Sequence, residues 1–332
     1  MGFIEWLQVV WLGVTGLCIG SFLNVVIARV PDGQSIVRPG SKCPKCGHAL
    51  KWYENIPVFS WLALRAKCSN CKAPISIQYP AVELATGILY LAVYARCGWG
   101  WPLVPGLIFI SLLVPLIVID AQKWILPFEL TLPGIFFGVL LQVPLGGSAV
   151  LHAFIGALAG FLSFRAFEIL GWFAFRKEAM GAGDKFLVAM VGAFLSWRVL
   201  LAVIFLSSLQ GAIFGLARIG LTGRAAAATP EPPVDPNEPP EPEPPPPVMS
   251  WAFLEPGLPL FKRLALLPYG LFLQPIPDEP TDAAGEEMEW VPGDSNLPFG
   301  PWIGLAAIEL MLFAPWLGLQ AAGSGLGWAF GY

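Results

Sequence analysis

Charge is scarce in this chain of 332 residues: only 13% are Asp, Glu, Lys or Arg, and there are just two histidines. An ordinary soluble domain carries about 25% charged residues, so that class is excluded at the outset. No Ser/His/Asp arrangement and no Gly-rich dinucleotide loop is present. Cysteine is sparse as well, and six in so long a chain do not make a disulfide scaffold, so their spacing has to be read instead. What the chain has in quantity is apolar surface, with 56% hydrophobic residues, together with 36 Gly and 33 Pro. The net charge of -4 conceals an asymmetry: residues 225–296 hold 13 of the 23 acids, with only Lys262 and Arg263 as bases. The remainder is therefore basic as well as apolar, and the composition is that of a polytopic membrane protein.

Residues 6–28 form an uncharged run, long enough for a helix to cross a hydrocarbon core of about 30 Å at 1.5 Å per residue. The preceding Met1 to Glu5 supplies no positive n-region, so the run reads as a span rather than a secretory leader. Further apolar stretches at about 81–97, 103–119, 130–146, 151–172, 185–197, 199–221 and 298–320 bring the expectation to eight spans. The sixth is short enough to be a re-entrant or buried helix instead. Between the first two spans lie eight bases (Arg29, Arg38, Lys42, Lys45, Lys51, Arg65, Lys67, Lys72) against Asp32 and Glu54, which predicts a cytoplasmic segment. The connections at 120–129, 173–184 and 222–296 then fall on the same side.

The expected fold is an all-α polytopic membrane protein of about eight transmembrane helices with a small cytoplasmic zinc-binding segment. Its divisions are a first helix at 1–28, the cytoplasmic segment at 29–80, a transmembrane core at 81–221, an insertion at 222–296, and a last helix with tail at 297–332. Residues 230–247 contain eleven prolines among acids, a composition that favours extended, solvated chain and reads as a linker or disordered arm. The apolar stretch 251–277 is interrupted by Pro256, Pro259 and Pro268, which argues against a spanning helix and for a position at the membrane surface or against the body.

Cys43, Cys46, Cys68 and Cys71 make the pattern C-x2-C-x21-C-x2-C inside the basic segment. Two such pairs on turns can wrap four thiolates around one zinc ion, closing its coordination and leaving a structural site. A reducing cytoplasm disfavours disulfides. A segment of some fifty residues with several prolines has little core of its own, so the metal is expected to supply much of its folding energy. His48, two residues after Cys46, reads as a loop histidine because four thiols suffice, and Cys18 and Cys97 read as packing residues.

Ionisable residues within apolar segments each need an explanation. Asp120 ends a long apolar run, and Asp184 stands in Gly-Ala-Gly-Asp-Lys at the start of the sixth. The topology puts both at the cytoplasmic face. Two carboxylates brought close cannot both ionise cheaply, so one keeps a proton and the other acts as base, which is the equipment for hydrolysing an amide. Gly181 and Gly183 lack side chains and leave room for an extended peptide. The alternative is that each aspartate marks a helix end near solvent. Arg165 and Glu168, three apart on one helix face, read as a neutralising pair or as substrate lining. Glu83 either contacts the substrate amine or marks the start of the second span.

Several ordered motifs run through the chain: Gly20-Ser21-Phe22-Leu23-Asn24-Val25-Val26-Ile27, Cys43-Pro44-x-Cys46, Asn55-Ile56-Pro57, Ser60-Trp61-Leu62-x-Leu64-Arg65, Tyr79-Pro80-x-Val82-Glu83, Asp120 with Pro127, Gly181-x-Gly183-Asp184, and Leu297-Pro298-Phe299-Gly300-Pro301. With the second cysteine pair they closely resemble the bacterial type IV prepilin peptidases over nearly all of residues 15–221 and 297–320. The resemblance implies an inner-membrane aspartic peptidase of the Gly-x-Gly-Asp type with Asp120 and Asp184 as its pair. Such enzymes cut the basic leader from type IV prepilins and type II secretion pseudopilins after glycine at the cytoplasmic face. It also implies N-methylation of the new terminal amine with S-adenosylmethionine, because members with the cysteine segment usually have both activities. The implied partners are those substrates and the bilayer, with no nucleic acid.

The chain departs from the family where Lys185 follows Asp184 directly instead of after one residue, so no role is carried over to it. Gln78 and Phe128 also replace the arginine and aspartate common there. The competing classes are a zinc-stabilised transporter and a noncatalytic pilus or secretion assembly factor. No paired half-repeat of the kind a transporter would favour is visible.

Overall fold

The structure, a computed structural model, describes residues 2–175, 181–222, 259–268 and 297–313. Among the described residues it is helical, with no strand and only two isolated β-bridges, Lys42 with Ala49 and Lys67 with Pro74. The helices are α1 (Phe3–Arg29), α2 (Phe59–Ala63), α3 (Gln78–Cys97), α4 (Leu103–Lys123), α5 (Phe128–Leu140), α6 (Gly147–Phe175), α7 (Asp184–Leu195), α8 (Leu200–Thr222), α9 (Leu260–Pro268) and α10 (Gly300–Phe313).

Among the described residues, five stretches are long and apolar enough to cross a membrane: Phe3–Asp32, Leu103–Lys123, Phe128–Leu145, Gly147–Ala174 and Trp197–Leu221. Their outward faces are apolar too, as Leu201, Phe205, Leu216 and Leu221 on α8 show, each at least 70% exposed. A helix hydrophobic on every side suits lipid rather than water. The other three expected spans differ for separate reasons. α3 has twenty residues but carries Glu83 and Arg96. α7 has only twelve, about 18 Å at 1.5 Å per residue, which is too short to cross. The described part of α10 has fourteen. The Pro-rich stretch 230–247 lies outside the described residues, as does 251–277 apart from the part that includes α9, a helix of nine residues.

The chain divides into two compact units, the first drawn from residues 1–160, 186–209 and 298–332, the second from 161–185 and 210–297. In the first, α1 packs along α3 through small residues. A Cβ on Gly16 would lie 2.8 Å from the Gly87 Cα, and one on Gly20 would lie 2.6 Å from the Glu83 Cα. The Gly-x3-Gly spacing thus lets two backbones meet where any side chain would hold them apart. A polar link reinforces the seam, the Tyr94 hydroxyl donating to Gln8 Oε1 at 2.6 Å, and Tyr90 ties α3 to α4 by pairing with Ser111 at 2.7 Å. The deepest core gathers Phe109, Ile110, Leu113 and Leu116 of α4, where Phe109 stacks on Phe194 at 4.7 Å. Lys123 closes α4 by an ion pair with Asp32. Cys97 is partly buried, whereas Cys18 stands exposed on α1, contrary to its expected packing role.

Candidate active site and metal centre

The cysteine-bearing segment is built from two copies of one turn. The Cys43 amide donates to the His48 carbonyl at 2.9 Å and the Cys68 amide to the Ala73 carbonyl at 2.8 Å. The Gly47 and Lys72 amides return to the Cys43 and Cys68 carbonyls at 2.9 and 3.1 Å. The left-handed slot of the two turns is filled by Gly47 (φ 71°) and Lys72 (φ 58°).

The turns bring the four thiols together. Cys43 Sγ lies 3.8 Å from Cys71 Sγ, Cys46 Sγ 4.0 Å from Cys68 Sγ, and all four sulfurs fall within 4.8 Å of one another. A tetrahedron with Zn–S bonds of about 2.3 Å has sulfur–sulfur edges of roughly 3.8 Å, so the donor set fits that ion. The distances are about twice a disulfide bond, and the cysteines are free. Asn70 Nδ2 approaches Cys46 Sγ at 3.7 Å.

His48 faces Glu54 at 3.2 Å instead of joining the thiols. Glu54 also accepts the Lys51 amide at 2.8 Å. That amide first, then the Ser69 hydroxyl, hold its carboxyl down at about 2.

Glu83 is buried and its Oε2 accepts the Val58 amide at 2.7 Å, with the Ser21 hydroxyl as a further partner. Val58 has φ 63°, a region that β-branched residues avoid, so Glu83 clamps a strained turn of the cysteine segment onto α3.

Asp120 is 5% exposed, one turn before the C-terminus of α4, and its Oδ2 is buried without a hydrogen-bond partner. The start of α10 presses against it. A Cβ on Gly300 would lie 2.6 Å from Oδ2, and the Gly300 amide interacts with the carboxylate. The glycine of the Leu-Pro-Phe-Gly-Pro motif therefore has a steric reason.

In the second unit Asp184 opens α7, 6% exposed, with its amide bonded to the Gly181 carbonyl at 3.1 Å. A Cβ on Gly181 would stand 3.4 Å from Asp184 Oδ2, an ordinary van der Waals contact. Arg165 and Glu168 form the ion pair that their spacing predicts, at 2.8 Å. Lys185, to which sequence reasoning gave no role, joins them: its Nζ lies 3.0 and 3.2 Å from the two Glu168 oxygens. Only the buried side-chain geometry could have revealed this, since residues 168 and 185 belong to different helices.

A cavity of about 540 Å³ also opens in the first unit, lined by residues of α1, the cysteine segment and the start of α3.

The chain is thus helical, with apolar spans, a four-thiol cluster and two buried aspartates at helix ends. Residues 14–97 match the family model of the bacterial peptidase A24 N-terminal domain, and residues 107–216 that of the type IV leader peptidase family. The chain is 55% identical over 315 residues to a prepilin leader peptidase/N-methyltransferase of Myxococcus xanthus, covering 94% of this chain and 92% of that one. Proteins of the same name from Aeromonas hydrophila (40% identical; 65% of this chain, 83% of the relative) and Neisseria gonorrhoeae (37%; 65% and 84%) are also similar. The chain belongs to the type IV prepilin leader peptidase family. No solved structure matches it.

Proposed function

We propose that this chain is a membrane aspartic endopeptidase that removes the leader of type IV prepilins or pseudopilins after glycine and then methylates the new terminal amine. The observation that carries this reading is the 55% identity with a prepilin leader peptidase/N-methyltransferase over nearly the whole of both chains.

Asp120 and Asp184 are its catalytic pair. In support, each is buried at the end of an apolar helix, and Gly300 leaves the Asp120 carboxylate space that a Cβ would take. One aspartate, ionised, takes a proton from water as the oxygen adds to the scissile carbonyl carbon. The other, protonated, gives its proton to the amide nitrogen as the carbon–nitrogen bond breaks. The products are the leader, ending in a carboxylate, and the pilin with a free amine. Gly181 and Gly183 leave room for the extended substrate, and Glu83 acts by holding the cysteine segment. Cys43, Cys46, Cys68 and Cys71 hold one structural zinc, which supplies folding energy to residues 29–80. S-adenosylmethionine supplies the methyl group. The protein lies in the bacterial inner membrane, with eight apolar segments and the active site at the cytoplasmic face. Residues 81–221 form the peptidase core, 222–296 a cytoplasmic insertion and 297–332 the last helix and tail.

The test incubates purified protein with a prepilin and follows leader loss and mass gain together. Asp120→Asn and Asp184→Asn should each abolish cleavage while zinc content and membrane insertion persist. Cleavage at the native rate by either variant, at matched protein levels, would remove that aspartate from the mechanism.

A further inference from the structure

Asp120 is fixed from two sides. Its backbone is held where α4 ends, because the Trp124 amide donates to the Asp120 carbonyl at 3.0 Å and Trp124 turns into the left-handed region at φ 59°. Its side chain is held by the start of α10: a Cβ on Gly300 would lie 2.6 Å from Oδ2 and 3.0 Å from Cγ, with Leu126 Cδ2 3.3 Å from the same point. We propose that Gly300 is a positioning residue for leader cleavage, its missing side chain admitting the Asp120 carboxylate and its backbone amide orienting it, with Oδ2 as the oxygen that exchanges the proton. The proposal rests on the reading of Asp120 as catalytic and says what holds that group in place.

The hydrogen bonds of α10 make this amide available. The first amides of a helix have no partner within it. Here Trp302 and Ile303 give theirs to the Phe299 carbonyl at 3.1 and 3.2 Å, and Pro301 has none to give. The Gly300 amide is left, and it engages the Asp120 carboxylate. A proline directly after the glycine thus removes a donor that could compete. The N-terminal end of α10 also carries partial positive charge, which favours a carboxylate there.

Two observations separate positioning from packing. Gly304, one turn further along α10, makes an equally close contact with α4, but there a Cβ would meet hydrocarbon, the Ile117 Cγ1 at 2.5 Å and Cδ1 at 2.7 Å. At Gly300 the missing side chain makes room for a carboxylate instead. Oδ2 itself, although Gly300 presses on it, is buried with no hydrogen-bond partner. A buried acceptor left open is costly in a residue that serves packing alone, and it is what an oxygen needs that must take or give a proton during the reaction.

The experiment uses the full chain in detergent and measures steady-state prepilin cleavage and the thermal midpoint for Gly300→Ala, Gly304→Ala and Asp120→Asn. Both glycine variants push α10 away from α4, so both should lower the midpoint. Gly300→Ala should also lower kcat about a hundredfold with KM unchanged, the scale of loss when a reacting group is misplaced by about 1 Å. Gly304→Ala should keep the native kcat per folded molecule. A further variant removes the donor without adding an atom: glycolic acid at position 300, introduced by cell-free synthesis, replaces the amide by an ester. It should lower kcat about tenfold, the loss expected for one hydrogen bond to a charged group. Native kcat in the ester variant, or equal kcat in the two alanine variants, would overturn the positioning role and leave Asp120 as catalytic. If Asp120→Asn cleaves at the native rate, the reading of Asp120 falls and takes the proposal with it.

Discussion

Lys185 and Glu168 lie 3.0 Å apart with both side chains at least 95% buried, and Arg165 reaches the same carboxylate at 2.8 Å. Two cations share one anion, so the three residues are not equivalent. Replacing Glu168 by Gln takes the shared carboxylate from both cations, and breaking a buried pair costs about 3–5 kcal/mol. Lys185→Met leaves the Arg165–Glu168 pair intact. Thermal unfolding in detergent should therefore show a larger drop in midpoint for Glu168→Gln than for Lys185→Met. The reverse order would mean that the lysine, not the glutamate, organises the cluster. The sequence made the Arg165–Glu168 pair legible because a spacing of three sets residues on one helix face. It could not reveal Lys185, because helical periodicity says nothing about which helix lies opposite.

At the scale of elements, the α1–α3 seam gives a sharp comparison. Gly13 and Gly20 both lie on α1, but a Cβ at Gly13 would meet only the Leu91 side chain, at 3.8 Å, while one at Gly20 would meet α3 backbone at 2.6 Å. Gly13→Ala should be neutral or stabilising by up to about 1 kcal/mol, since alanine favours helix. Gly20→Ala should cost about 1–3 kcal/mol, because two helices must move apart. Equal melting midpoints for the two variants would disprove the close seam. The cysteine segment has a different stabiliser. It has almost no fully buried apolar side chain besides Cys68, so its folding should depend on metal. We expect one zinc per purified chain, and we expect chelation or Cys68→Ser to make residues 29–80 protease-sensitive before the helices are cut. A folded, metal-free segment would contradict this account.

For the whole molecule, the acidic stretch 222–250 tests what the body needs. Its composition predicts solvated chain, and loop-closure cost changes only about 0.6 kcal/mol per doubling of length, so deleting most of it should leave cleavage intact. Its charge has a second consequence if prepilin leaders are basic: attraction would raise their local concentration and be screened over a Debye length of about 8 Å. Cleavage rates measured against ionic strength separate the cases. A steeper salt dependence in the intact enzyme supports steering, matching curves make the stretch a passive spacer, and loss of all activity on deletion would show it to be structural.

By itself the sequence determined that the chain is helical and membrane-borne, because scarce charge and long apolar runs have no other stable solution. It also marked the four thiols as candidate metal ligands, because Cys-x2-Cys spacing acts through a local turn. Both are short-range properties, so one chain suffices to read them. Tertiary structure decided what depends on contact between distant segments: the start of α10 against Asp120, Glu83 holding the strained Val58 turn, Lys185 against Glu168, and motifs far apart in the chain meeting at one cavity. Those contacts depend on how helices choose their neighbours, and that choice is made by steric fit across the seams, where the absence of a single Cβ decides whether two backbones can meet.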